Sequence, residues 1–343
     1  MNFGSLDLNA VWFALIGVLF TGYALLDGFD LGVGALHLFT KTDEERRVMI
    51  NAIGPVWDGN EVWLVTGGGA LFAAFPMVYA TVFSGFYLAF VLLLVALIFR
   101  AVAIEFRSKQ PMRWWRQMWD VGFAAGSVLS SLLIGVAMGN IAWGLPLDER
   151  HEFAGSFWTL LHPYPLLLGV TTLALFMMHG SIYAVMKTEG ALHDRIRGWV
   201  GNCIIFFIIC YAVTTMATLL YVPHMAARVR ANPWLFSIAV ANMLAIANIP
   251  REIHHGRDGR AFVSSGVAMV ALMGLFGLEM FPNLVLSNPD LANSLTVYNA
   301  ASSAKTLGIM LTIALIGMPL VLAYTVSIYW IFRGKVKLDK MSY

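Results

Sequence analysis

Seven long apolar segments dominate the chain, and each could cross about 30 Å of hydrocarbon as a helix. Because 59% of the 343 residues are hydrophobic and only 12% are charged, a soluble core could not bury this much apolar surface. The sequence therefore predicts a single all-α transmembrane domain over 1–343. The segments lie at about 8–38, 78–106, 117–143, 157–187, 198–222, 261–282 and 303–332.

Two further segments are marginal. The segment 50–75 is interrupted by Asp58, Asn60 and Glu61, and the segment 233–249 is short but otherwise apolar. Counting both predicts about nine transmembrane helices, and counting neither predicts seven.

Basic residues favour nine helices and predict their orientation. They cluster in five connections, and basic connections tend to stay in the cytoplasm. The loop 146–152 is acidic and 283–304 is nearly neutral, so both are expected outside. Nine helices then alternate throughout, with the N-terminus outside and the C-terminus cytoplasmic; Arg228 and Arg230 are the exception. The basic connections hold Lys41, Arg46 and Arg47, and then the basic residues of 107–116, 187–197, 251–260 and 333–340.

Several functions are excluded by composition and motifs. The net charge of +2, without a basic run, does not indicate a nucleic-acid partner. The sequence has no Walker loop, dinucleotide fingerprint or nucleophile motif. Cys203 and Cys210 are about 10 Å apart along one helix, which is too far for a disulfide. We predict that both are packing residues.

Histidines do not predict a haem or metal site in this chain. Of the eight, we expect only His162 and His179 within a helix bundle, where about 25 Å along one helix would separate them. They could not bind one iron together, and we expect them to be structural or to contact a quinone. Metal ligands are therefore not predicted, and redox chemistry would depend on a partner.

Two carboxylates lie in the first apolar segment, within GYALLDGFDLGVG at 22–34. An ionisable residue in a membrane segment costs a few kcal/mol, so such residues usually face a bundle interior. Asp27 and Asp30 are three residues apart and share one helical face. Gly28 and Gly32 form a small-xxx-small pair that allows another backbone to approach closely.

A second polar cluster, GPVWDGNEVW, follows at 54–63. Asp58 and Glu61 share a helical face, and Trp57 shares that of Glu61. A rise of about 1.5 Å per residue puts both clusters roughly 15–20 Å from the cytoplasmic charges on antiparallel neighbours, so they can meet. Carboxyls at one depth can form a proton relay, with Glu61 as a candidate member. A polar network that only holds the helices together fits these residues equally.

Arg100 and Asp120 lie close to the cytoplasmic ends of two successive helices. We predict that they pair across the hairpin at the membrane interface. Alternative functions also remain open from the residues alone. An ion-coupled secondary transporter could use midplane carboxylates, although the inverted repeats typical of that class are not visible. A pure scaffold is the third possibility.

The two motifs carry a family resemblance. GYALLDGFDLGVG, followed by ERRVMINAIGPVWDGNEVWLVTGGGALFAAFPMVYATVFSGFY, strongly resembles subunit II of the cytochrome bd family of quinol oxidases. The resemblance is continuous over about 10–145. It extends more loosely to the end through AVMKTEGALHDR, FPNLVLS and TLGIMLTIALIGMPLVLAYTVSIYW.

The resemblance implies two four-helix bundles plus a peripheral helix, the first bundle at about 8–143 and the remaining helices at about 157–333. It also implies a heterodimer in a bacterial plasma membrane, whose subunit I binds haem b and haem d. Subunit I would oxidise quinol near the outer face and reduce O2 to water with cytoplasmic protons. Some members also hold a structural quinone, and a small single-helix subunit is a further candidate partner beside membrane lipids.

Individual residues acquire roles from the same resemblance. Asp58 is similar to a family residue on a proton path toward the haems. A second group matches positions needed for assembly or haem-site integrity, without ligating haem. The connection after Tyr221, of about ten residues, is shorter than in some relatives, which leaves the sub-type open, including the cyanide-insensitive variants. The quinol type is also open. The second group comprises Asp27, Asp30, Trp57, Arg100 and Asp120.

Overall fold

The computed structural model describes residues 6–338 and 342, and this part of the chain is nearly all helical. The helices are α1 Leu8–Leu36, α2 Asp43–Ile53, α3 Trp57–Ala74, α4 Pro76–Gly85, α5 Tyr87–Phe106, α6 Arg113–Trp143, α7 Pro163–Lys187, α8 Gly190–Tyr221, α9 Ala227–Ala231, α10 Phe236–His254, α11 Asp258–Met280 and α12 Ala304–Ile331. Two short antiparallel strands, β1 Asn283–Val285 and β2 Leu295–Thr296, lie between α11 and α12.

Eight helical segments among the described residues are long and apolar enough to cross a membrane. They confirm the polytopic all-α class, and the marginal segment at 233–249 is among them as Pro233–His254. The eight correspond to α1, α5, α6, α7, α8, α10, α11 and α12. The ninth expected crossing is α3. Its 18 residues include the polar cluster around Asp58, which makes α3 less apolar than the other eight segments.

Two predicted segments each contain a break that was not expected, while the gap predicted between them is present at Phe75. The segment 50–75 is divided between α2 and α3, and 78–106 is divided between α4 and α5. Proline causes the break between α3 and α4, because the ring of Pro76 disfavours helical geometry at the residue before it. Phe75 accordingly has φ −135° and ψ 68°.

α1 and α3 run antiparallel and in contact along their length. A Cβ added to Gly22 would meet the ring of Trp63, and one added to Gly67 would meet the ring of Phe20. This register brings the DGFD segment of α1 beside the first turns of α3. The expectation that the two polar clusters lie on antiparallel neighbours is therefore correct.

α1 also packs closely against α7, where Gly32 meets Gly180. A Cβ on Gly32 would lie 1.8 Å from the carbonyl oxygen of Phe176, and one on Gly180 would lie 2.6 Å from the carbonyl carbon of Gly32. The predicted close approach of a second backbone at Gly32 is thus present. Gly28 instead accommodates the ring of Phe176.

Replacing Gly32 by Ala is expected to lower the melting temperature of the purified complex, because backbone atoms cannot yield to the new methyl group. Overpacking of this kind costs about 1–3 kcal/mol. Gly17→Ala is the matched control on the same helix, since nothing lies within 4 Å of its added Cβ. Equal melting temperatures for the two variants would contradict the close packing of α1 on α7.

Opposite ends of the molecule differ in structure. At the loop end, formed by the connections 144–162 and 281–303, the backbone N–H of Leu145 donates to the carbonyl of Leu286 at 2.8 Å. The hydroxyl of Thr81 in α4 donates to the carbonyl of His151 at 2.9 Å, so α4 lies at this end. At the opposite, basic end, α2 packs Met49, Ile50 and other apolar residues into the main core. This core is the largest cluster of buried apolar side chains and includes residues of α1, α2, α7 and α8.

Candidate functional site

Asp27 and Arg100 form a fully buried ion pair between α1 and α5. Arg100 Nη1 donates to Asp27 Oδ2 at 2.8 Å, and Nη2 donates to Oδ1, so the pair is bidentate. Both side chains are 0% exposed. Two charges buried together in this geometry satisfy each other, whereas either alone would be costly.

The predicted pairing of Arg100 with Asp120 is wrong. Asp120 instead accepts hydrogen bonds from Arg46 Nη1 at 2.7 Å and from Arg107, and it shares a hydrogen bond of 2.6 Å with His37 Nε2. Asp120 lies closer than Asp27 to the basic end, within reach of cations on α2 and at the end of α5. Arg100, seven residues before Arg107, reaches the deeper carboxylate.

Asp120 therefore joins four elements at the basic end. Its partners come from the ends of α1 and α5 and from α2, while Asp120 itself lies in α6. Asp43 of α2 extends the network by accepting from Arg107 and Arg116, both at 2.7 Å. Such a network fixes the helix ends relative to each other.

Glu45 ties the start of α2 to α8. Its carboxylate accepts from Arg195 at 2.6 Å and from the backbone N–H of Lys41 at 2.7 Å, and it completes a capping box with Thr42. Desolvation raises the pKa of Glu45, but the hydrogen bonds from Lys41 and Arg195 lower it more, so the net shift is downward. Glu45 is accordingly held as a carboxylate.

Asp30 lies one turn from Asp27 and is also 0% exposed. Its Oδ2 accepts from Asn60 Nδ2 at 2.7 Å, which links the two polar clusters across α1 and α3. Its Oδ1 has no hydrogen-bond partner within 6–338 or at 342. One oxygen of this buried carboxyl is fixed, and the other is available to a proton or a donor.

Asp58 faces outward, unlike the bundle-facing position expected of an ionisable residue in a membrane segment. Its side chain is exposed and makes no hydrogen bond to the described part of the chain. A helix turns about 100° per residue, so the inward position of Asn60 directs Asp58, two residues earlier, to nearly the opposite side. The neighbouring exposed face is apolar and includes Val62 and Val65, the latter 71% exposed.

Glu61 and Trp57 lie between these two environments. Glu61 is half-buried and close enough to Arg100, Asp27 and Asp58 to interact with their charges. Trp57 is partly buried and packs against the main core. Carboxyls thus follow one another from the exposed face of α3 at Asp58, through Glu61, to the buried side of α1.

His179 is buried in the bundle, as expected, and both of its ring nitrogens are engaged. Nε2 donates to the carbonyl of Leu25 at 3.1 Å, and Nδ1 forms a hydrogen bond of 2.7 Å with the hydroxyl of Ser265. His162 is exposed at the start of α7, stacked on Trp143, so its predicted position within a bundle is wrong. No set of three or more His, Cys, Asp or Glu residues able to hold a metal is present in the described ranges.

Sequence reasoning missed three residues of the site. His37 is 0% exposed, and its spacing of seven residues from Asp30 could have placed it on the same face of α1. Asn60 was noted only as an interruption of an apolar segment. Tyr329, at the far end of the chain, donates from its hydroxyl to Asn60 Oδ1 at 2.8 Å, and no local pattern signals this contact.

Comparisons with known proteins identify one family. Residues 8–332 match the family model described as cytochrome bd terminal oxidase subunit II. The chain is 38% identical to cytochrome bd-I ubiquinol oxidase subunit 2 of Escherichia coli strain K12, over 96% of this chain and 95% of that one. It is 37% identical to cytochrome bd ubiquinol oxidase subunit 2 of Bacillus subtilis, over 96% of this chain and 97% of that one.

A solved structure shows the same fold. The chain is similar to a chain of the bd oxidase from Geobacillus thermodenitrificans, with a TM-score of 0.78 at 15% identity. The similarity covers 96% of this chain and 98% of that one.

Proposed function

Because the chain belongs to the cytochrome bd terminal oxidase subunit II family, we propose that it supports quinol oxidation and the reduction of O2 to water without itself binding haem. It is a multi-pass bacterial membrane protein of a quinol oxidase complex that contains a partner subunit I. We propose that subunit I binds haem b and haem d and that protons enter from the cytoplasm. The N-terminus would lie outside and the C-terminus in the cytoplasm.

The histidines support this division of labour. Haem iron needs axial ligands such as a free imidazole nitrogen. His179 uses both ring nitrogens within the chain, and His37 uses Nε2 on Asp120. His37 Nδ1 is thus the one ring nitrogen of these two buried histidines without a partner in the described residues, and no second one is available to pair with it in a bis-histidine haem site. When bound in the partner, haem would supply the redox chemistry, and the residues of this chain would hold helices and move protons.

One observation carries the proton role: Asp58 is unpaired and exposed on an apolar helix face. A carboxylate facing lipid would be costly, so we propose that this face meets the partner subunit. Asp58 would then pass protons across the interface, with Glu61 as a relay toward the buried side of α1. Glu61 makes no hydrogen bond to Arg100 or Asp27 in the described chain, so a proton on Glu61 replaces no bond of the Asp27–Arg100 pair.

The remaining predicted residues support assembly in this proposal. Asp27 and Arg100 join α1 to α5, Asp120 fastens the basic end, and Trp57 packs at the start of α3. Asp30 joins α1 to α3 through Asn60. Family membership favours this oxidase function over the ion-coupled transporter.

Separating this chain from its partner subunit tests the proposal that only the partner binds haem. We expect the optical spectrum of the complex, including its haem d absorption, to stay with the partner after this chain is removed. The isolated chain should show no haem absorption. Haem that remains with this chain, at a stoichiometric amount, would contradict the proposal.

A further inference from the structure

Tyr329 brings α12 into contact with the buried polar cluster. α12 is the least buried of the eight crossing segments in the described ranges, because only 11% of its apolar stretch is buried inside the structure. Its two buried residues, Leu307 and Leu311, lie near its start. Near its other end, the hydroxyl of Tyr329 donates to Asn60 Oδ1 at 2.8 Å. The Tyr329 ring also packs edge-on against Phe29, with 6.4 Å between ring centroids.

This contact completes the hydrogen bonding of Asn60. An amide has two N–H donors and one oxygen acceptor. Nδ2 donates to Asp30 Oδ2 at 2.7 Å and to the carbonyl of Leu26 at 3.1 Å, while Oδ1 accepts from Tyr329. A flipped amide would place its oxygen against two acceptors. Tyr329 and Leu26 therefore keep an N–H of Asn60 directed at Asp30.

Asn60 also fixes the start of α3. This helix begins at Trp57, and its N-cap residue Val56 makes no side-chain hydrogen bond to the first turn. Asn60 ties that region to α1 and to α12. Asp58 precedes Asn60 by two residues and Glu61 follows it directly, so their backbone positions depend on the same bonds.

α7 holds the end of α12 in place. Lys187 Nζ donates to the carbonyl of Phe332 and, at 3.4 Å, to that of Gly334. The backbone N–H of Val336 donates in turn to the carbonyl of Lys187 at 2.9 Å. The position of Tyr329 is thus set by contacts within the chain on both sides of it.

We infer that Tyr329 is a positioning residue, which acts through Asn60 to orient the Asp30 carboxyl and to place the first turn of α3 that carries Asp58. The inference rests on the proposed function, in which Asp58 passes protons. It adds a role for α12, because the hydroxyl of Tyr329 acts on the Asp30 carboxyl through Asn60 without contacting it.

Tyr329→Phe in the full complex tests the inference, because it removes the hydroxyl and keeps the ring on Phe29. Tyr324→Phe is the matched control, since Tyr324 is 65% exposed on the same helix and makes no hydrogen bond to described residues. For Tyr329→Phe we expect kcat for O2 consumption to fall about three- to tenfold, as for loss of one hydrogen bond. The KM for quinol and the haem content should not change.

Infrared spectroscopy provides the second measurement. The carboxyl band of Asp30, assigned by its loss in Asp30→Asn, should shift in Tyr329→Phe and stay in place in Tyr324→Phe. A complex of Tyr329→Phe that matches Tyr324→Phe in both kcat and infrared band would overturn the inference. Failure to assemble, or a lower melting temperature with normal kcat per haem, would also overturn it by showing a purely structural role.

The two proposals can fail separately. Unchanged turnover of Asp58→Asn would reject the proton role of Asp58. A shift of the Asp30 band in Tyr329→Phe would still support the positioning of Asp30 in that case. Normal turnover and an unshifted band in Tyr329→Phe, together with slow turnover in Asp58→Asn, would reject only the role of Tyr329.

Discussion

Replacing Arg100 by Gln is expected to prevent stable assembly of the oxidase complex. The change leaves Asp27 buried at 0% exposure without its cation, close to the further carboxyls of Asp30 and Glu61. Removing one partner of a buried ion pair costs about 3–5 kcal/mol. This loss is large against the total stability of a typical domain. The measurement is the haem content and melting temperature of complex purified from membranes.

A compensating variant separates charge from packing. Asp27→Asn combined with Arg100→Gln removes both charges, so it should recover part of the assembled complex. Arg113→Gln is the control for loss of a cation, because Arg113 is exposed at the start of α6. If Arg100→Gln assembles as well as Arg113→Gln, or if the double variant is no better than Arg100→Gln, the ion pair does not have this role.

Replacing Asp58 by Asn is expected to leave an assembled, haem-loaded complex that consumes O2 at least about tenfold more slowly. Asp58 is exposed and unpaired within the described chain, so its loss breaks no internal contact. Asn cannot carry a proton, and positioned proton-transfer groups typically contribute 10²–10⁴-fold to rate. Quinol-driven O2 consumption per haem measures the effect.

Two further variants make this result specific. Asp58→Glu keeps a carboxyl and should restore much of the turnover. Glu149→Gln neutralises an exposed carboxylate in the 144–162 connection and should have no effect. Normal turnover of Asp58→Asn with full haem content would show that protons take another route.

The fold was largely predictable because apolar length and basic connections are local properties of the sequence. The breaks at Gly54–Val56 and at Phe86 were missed, whereas the break at Phe75, directly before Pro76, falls at the predicted gap between the segments 50–75 and 78–106. The small-residue packing at Gly32 followed from spacing alone. The bundle division at about 143–157 stays a prediction.

Most residues of the site could be predicted from the sequence, but which of them bind each other could not. Spacing put Asp27 and Asp30 on one face, and depth arithmetic brought them to the level of α3. Depth along the helices could not decide which carboxylate Arg100 reaches. Asp27 of α1 and Asp120 of α6 both lie at depths within a few helical turns of the depth of Arg100 on α5. The facing of α3 was equally undetermined, since Asp58, Asn60 and Glu61 each could have been the inward residue. Asn60 takes that position because α1 and Tyr329 provide its partners.

The Asp27–Arg100 pair also bears on the order of membrane insertion. The two residues are 73 positions apart, and synthesis proceeds at about 5–20 residues per second, so Arg100 emerges roughly 4–15 s after Asp27. During this interval the first helix carries a carboxylate whose cation has not been made. We expect α1 to remain beside the insertion machinery until α5 arrives, so that the crossing helices α1, α3 and α5 enter the bilayer as a group.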